Sequence, residues 1–292
     1  MNKAALDASS QTLQSAHLLT NRVAVHISQQ SKGSRMKRML LLLSLVPAIA
    51  FSSTPFDGTW KVRLDSMQFS GKPSEQVIMN GSYTCKTCVP PFTIKADGKE
   101  QPTPVHNTRD HMSVKVVSPT TVEYTDKVGG KVISTSTETV SADGNRLTTT
   151  FTNYSGEQQF KGTATSKRVG PAPPGAHAVS GAWMQDSVPE VTESAKFFVV
   201  QSTDNGIKWT WNGMITDAKF DGKQYAVKND PSKTLVALKK INDRQFEERG
   251  TSEGKVQYIT MWTVSADGKT ITQASEDPVH GTRSSWVLEK QP

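Results

Sequence analysis

Thr139-Val140-Ser141-Ala142-Asp143-Gly144 recurs letter for letter as Thr263-Val264-Ser265-Ala266-Asp267-Gly268, 124 residues further along the chain. The same offset relates Asp97-Gly98-Lys99 to Asp221-Gly222-Lys223, Gly130-Lys131-Val132 to Gly254-Lys255-Val256, and Val122-Glu123 to Phe246-Glu247. Gly58-Thr59-Trp60 matches Gly181-Ala182-Trp183 at an offset of 123. A six-residue identity with in-register matches around it marks a duplication. The period far exceeds the ~20–50 residues of solenoid units, so each copy is expected to be a whole domain.

Within each copy the apolar period is two. Trp60, Val62 and Leu64 alternate with Lys61, Arg63 and Asp65; Leu147, Thr149 and Phe151 alternate with Thr148 and Thr150. Ile207, Trp209 and Trp211, then Val256, Tyr258, Thr260, Trp262 and Val264, repeat the theme in the second copy. Such alternation reads as half-buried strands. Asp97-Gly98, Gly129-Gly130, Asp143-Gly144, Asp221-Gly222 and Asp267-Gly268 supply the positive φ that tight hairpins need. No segment after residue 50 carries a helical stripe. The predicted fold is all-β: two tandem antiparallel up-and-down meanders of about eight to ten strands each, closed into barrels or sandwiches to remove their edges. They are expected over residues 51–168 and 178–292, joined by a proline- and glycine-rich linker at 169–177.

Met36-Lys37-Arg38, the apolar run Met39 to Val46 and the small-residue site Ala48-Ile49-Ala50 read as a cleaved signal peptide, Met36–Ala50. The run is too short to span a bilayer, and a periplasmic or secreted protein is expected. Residues 1–35 are polar and aperiodic; we read them as a disordered extension or a misassigned start, synthesis then beginning at Met36. The basic surplus is mostly leader, because residues 1–50 hold six of the 34 Lys and Arg but one of the 27 Asp and Glu. The two copies come to +3 and −1. Neither has the clustered positive field of a nucleic-acid binder, so no nucleic-acid partner is expected.

Each copy opens with Gly-x-Trp (Gly58-Thr59-Trp60, Gly181-Ala182-Trp183) and ends in a strand with a cation: Arg168 in one, Arg283 or Lys290 in the other. On these residues the chain resembles the lipocalin and calycin superfamily, and as a whole it is similar to tandem lipocalin-like exported bacterial proteins. The resemblance implies barrels with Trp60 and Trp183 as structural plugs under a last-strand cation. It also implies an interior that can hold one small apolar or amphipathic ligand. Trp209, Trp211, Tyr258, Trp262 and Phe151 are expected as core filler.

Cys85 and Cys88 are the only cysteines, and their counterparts at the same offset are Trp209 and Asn212. Three readings are open. The pair can close a small disulfide in an oxidising compartment; it can join His106 and His111 in a C-x2-C-x17-H-x4-H metal site; or it can exchange thiols. The disulfide is the preferred one, with no metal and no cofactor. Catalytic motifs are absent: there is no G-x-S-x-G elbow, phosphate-cradling loop or H-E-x-x-H. Asp110 and His111, adjacent on a strand, should face opposite ways. Glu247-Glu248, Lys239-Lys240 and Glu276-Asp277 read as solvated strand ends or loops.

Three functions follow: a non-enzymatic binder of a small apolar or amphipathic ligand; a structural or envelope-interaction module with solid barrels that binds proteins or glycans; or a redox or metal protein using Cys85 and Cys88. The oligomeric state is left open.

Overall fold

The computed structural model describes residues 54–105 and 109–292. The leader Met36–Ala50, the extension 1–35 and His106 lie outside the described residues. The first copy contains β1 (Gly58–Gly71), β2 (Ser74–Met79), β3 (Ser82–Cys85), β4 (Phe92–Lys95), β5 (Gln101–Val105), β6 (Arg109–Ser118), β7 (Thr121–Val128), β8 (Lys131–Val140), β9 (Arg146–Asn153) and β10 (Phe160–Gly170). The second contains β11 (Gly181–Val191), a 3-10 turn at Glu193–Lys196, β12 (Phe197–Thr203), β13 (Gly206–Trp211), β14 (Met214–Lys219), β15 (Tyr225–Ala226), β16 (Leu235–Asn242), β17 (Gln245–Ser252), β18 (Lys255–Val264), β19 (Thr270–Asp277) and β20 (Thr282–Lys290).

These strands form two antiparallel ten-stranded sheets, each curled nearly closed into a barrel. One runs β4-β3-β2-β11-β10-β9-β8-β7-β6-β5 and the other β14-β13-β12-β1-β20-β19-β18-β17-β16-β15. The two orders coincide when each strand of one copy is replaced by its counterpart in the other. The opening strands, however, are exchanged. β1 lies between β12 and β20, with Trp60 opposite Phe198 and Lys290, while β11 lies between β10 and β2, with Trp183 opposite Arg168 and Ser74. The first barrel is therefore β2–β11, and the second is β1 with β12–β20. The halves 51–168 and 178–292 do not coincide with the barrels.

A local reason lies in the link from β1 to β2, which is Lys72-Pro73. A two-residue hairpin needs positive φ at its central positions, and proline is fixed near −65°. A tight turn is disfavoured there, and β1 and β2 lie in different sheets; β11 and β12 part likewise, across the proline-free stretch 192–196. Between β10 and β11, by contrast, the chain does return on itself. The expected linker is the loop of that hairpin and covers one end of the first barrel: His177 Nε2 meets the Ser118 carbonyl at 2.6 Å, and Val179 and Ser180 are buried.

The barrels also share packing. Phe151 and Phe160 of the first barrel meet edge-on, and Phe160 lies 5.4 Å from the ring of Trp211 in the second. Trp211 Nε1 donates to the Ala195 carbonyl at 3.1 Å. Phe151 and Trp211, expected within separate cores, thus help join the two barrels.

Two outcomes follow. A protease site inserted between Pro173 and Pro174 should cut the chain into pieces that still co-elute in size-exclusion chromatography, because each holds a strand of the other's barrel; native separation would contradict the exchange. Trp60→Ala should lower protection from hydrogen exchange in β12–β20, not in β2–β10, at a cost of about 3–5 kcal/mol.

Candidate functional site

The tryptophans fix the frame around the barrel interiors. Trp60 and Trp183 are buried, and each donates its indole N–H to the carbonyl four residues earlier, Phe56 at 2.8 Å and Val179 at 2.9 Å. A last-strand cation lies over each ring: Arg168 is 4.0 Å from the centroid of Trp183, and Lys290 is 5.1 Å from that of Trp60. Arg283 instead pairs with Glu276. The glycine two residues before each tryptophan is needed for this layering. Gly58 and Gly181 have φ of 138° and 116°, and a Cβ there would come within 2.9 Å of Lys290 and 2.6 Å of Arg168.

In the first barrel one buried carboxylate is matched by a cation and another is held by neutral donors. Arg109 and Asp126 pair at 3.3 Å, both almost fully buried, and Ser134 donates to Asp126. Glu138 accepts from Gln76 at 2.7 Å and from Tyr124 at 3.0 Å. Burial pushes the Tyr83 phenol above its ordinary range.

In the second barrel the acid moves to the neighbouring strand, since Glu248 occupies the place of Tyr124, and Trp262 that of Glu138. Glu248 is buried, not solvated as expected, because it shares the inward face of β17 with Phe246, two residues away. Tyr258 donates to its Oε1 at 2.7 Å and the Trp262 indole to its Oε2 at 2.8 Å. No basic side chain pairs with it among the described residues, and burial pushes its pKa up to about 7 against those two hydrogen bonds.

Around Glu248 is a cavity of about 30 Å3 lined by Phe198, Trp209, Glu248, Tyr258, Thr260, Trp262, Gln273 and Trp286. Two buried polar atoms there, Gln273 Oε1 and Trp286 Nε1, have no hydrogen-bond partner. Trp209 and Trp262 belong to the buried core, as expected of filler, and with Tyr258 they also wall this cavity. Beyond Phe246, which stacks on Trp262 at 5.3 Å, a second cavity of about 320 Å3 opens at the barrel end. Phe56, Ile207, Phe220 and Phe246 give it apolar walls, and Lys240, Asn242 and Asp243 a polar edge.

Cys85 and Cys88 are joined in a disulfide, and both are buried in the core of the first barrel with Tyr83 and Phe92. Burial denies the sulfurs to an attacking thiolate. Among the described residues no cluster of three or more His, Cys, Asp or Glu could hold a metal. His111 is half-exposed and meets Asp110 at 3.0 Å, against the expectation that strand neighbours diverge; the β5–β6 ladder is irregular at this end of β6. Asp277, expected to be solvated, is buried with His280 at 2.5 Å.

The outer face of the first barrel has its own pattern. β7, β8, β9 and β10 align Thr121, Thr139, Thr148 and Thr165 in one row, Glu123, Thr137, Thr150 and Thr163 in the next, and Thr125, Thr135, Thr152 and Lys161 in a third. Ten of these twelve positions are threonine, against two, Thr263 and Thr272, at the equivalent positions of the second barrel. A groove of about 660 Å3 runs over the threonines, with Glu190 and Thr192 at its border.

The chain matches no family model, no curated protein and no solved structure.

Two measurements check the site. Glu248 binds its proton more tightly folded than unfolded, so it contributes stability below its unfolded pKa that is lost as pH rises to about 7. The stability difference between Glu248→Gln and the native chain should shift by about 3 kcal/mol in favour of the variant between pH 4.5 and pH 8; a pH-independent difference would contradict the burial. Cys85→Ala with Cys88→Ala should cost about 2–4 kcal/mol in denaturant unfolding, more than closure of so short a loop contributes, because buried sulfur is lost as well.

Proposed function

We propose that this protein is an exported, non-enzymatic binder of a small amphipathic molecule, with the mouth of the second barrel as receptor and the first barrel as its structural partner. The observation that carries this is the cavity of about 320 Å3 at the barrel end, whose phenylalanine walls and Lys240–Asp243 edge suit a ligand with one apolar and one polar side. The lipocalin-like reading enters in modified form. The deep interior, with about 30 Å3 around Glu248, is too small for a whole lipid, so the body of the ligand would sit at the mouth. Export rests on the leader Met36–Ala50.

N-phenyl-1-naphthylamine, an apolar fluorescent probe, should bind saturably. Phe220→Glu, at a half-buried wall position, should weaken binding at least about tenfold while the far-ultraviolet circular dichroism is unchanged. Equal binding by the variant overturns the mouth as receptor.

The threonine rows favour a second reading, an envelope-interaction module. Thr137, Thr150 and Thr163 present hydroxyls at a regular interstrand spacing of about 4.8 Å, without a run of cations, which suits a glycan chain and not a polyanion. Co-sedimentation with insoluble polysaccharide, lost in Thr137→Lys with Thr150→Lys, is the expected outcome for this reading.

A further inference from the structure

Beyond the mouth lies the question of what the inner cavity is for. Four facts converge there. A carboxylate is buried without a cation. An acceptor, Gln273 Oε1, and a donor, Trp286 Nε1, lack partners although both residues are almost fully buried. The walls are aromatic: Phe198, Trp209, Tyr258, Trp262 and Trp286. The first barrel has a buried carboxylate of its own, Glu138, in place of Trp262, but smaller groups at the other places, with Ser134 in place of Tyr258, Thr149 in place of Gln273, and Ala164 in place of Trp286.

We propose that this cavity is a binding site for the protonated amine of a small ligand, with Glu248 as counter-ion and Gln273 Oε1 and the Thr260 hydroxyl as further acceptors. Burying a lone carboxylate is costly, and a cation at hydrogen-bond distance offsets that cost more fully than a neutral donor does. Aromatic walls add cation–π attraction, stronger when desolvated. Trp286 Nε1–H has nothing to offer a cation and would take an oxygen beside the amine, from water or from the ligand. A cavity of about 30 Å3 is more than one water needs but well short of a bulky head group, so an ammonium or methylammonium group enters and a tetramethylammonium ion does not. Tyr258 is the most exposed of the lining residues, the others being buried, which places the way in on its side.

The site should respond to pH with a defined sign. β18 contributes the Tyr258 phenol, held neutral by burial, by Glu248 and by the more distant Asp230 carboxylate before β16, while β12, β13, β19 and β20 contribute to the lining Phe198, Trp209, Gln273 and Trp286, none of which titrates. Glu248 therefore sets the profile, and amine affinity should rise about tenfold from pH 6 to pH 8 as the carboxylate ionises.

The probe is methylammonium chloride added to the full chain, against sodium chloride at equal ionic strength, read by the indole N–H resonances of Trp262 and Trp286. Saturable shifts of both signals that strengthen from pH 6 to pH 8, are absent with tetramethylammonium, and are lost in Glu248→Gln are expected. Glu248→Gln should still bind N-phenyl-1-naphthylamine, which separates failure of this site from failure of the mouth or of folding. Indole shifts that survive Glu248→Gln, or a native protein with no shift at pH 8, overturn the proposal and leave the cavity to a buried water.

Discussion

The exchange of β1 and β11 is the constraint on which the rest of the molecule depends. Antiparallel sheets leave unpaired edges unless they close. Here each ring is completed by a strand from the other copy, so neither barrel is finished until both are. Independence of two duplicated domains is lost, and the Phe160–Trp211 contact adds packing between the barrels. Lys72-Pro73 suits it locally, because a proline in a two-residue link disfavours the tight hairpin that would return β1 to its own half, although β11 and β12 part across residues 192–196 without a proline.

Within that frame the copies have diverged chemically. Each keeps its glycine, tryptophan and cation layered at one barrel end, the cation crossing from the copy that did not supply the tryptophan. The first copy encloses a matched pair, Arg109 with Asp126, and gains the buried disulfide and the threonine-rich outer face. The second encloses Glu248 unmatched and surrounds it with tryptophans.

Much of the fold was readable because its determinants are local. Alternation such as Trp60, Val62 and the Asp143-Gly144 turn specify strands and hairpins within a few residues. Which copy a strand joins is a non-local matter, and the two copies offer nearly the same partner, so internal similarity that revealed the duplication also concealed the exchange. Lys72-Pro73 was the available signal. Glu248 was hidden by its neighbour Glu247, which does face outward; counting in twos from Phe246 places Glu248 inside. The unpartnered state of Gln273 and Trp286 depends on side chains converging from six strands and had no sequence signature.

Cross-linking tests the exchange most directly. In the arrangement described, Thr59 is opposite Val199, whereas Glu75 is opposite Ala182, the residue that takes the place of Thr59 in the other barrel. Thr59→Cys with Val199→Cys should therefore oxidise to a disulfide in the folded monomer, and Thr59→Cys with Glu75→Cys should remain reduced. The reverse pattern, mapped by mass spectrometry of peptides, would return β1 to its own half and contradict the account.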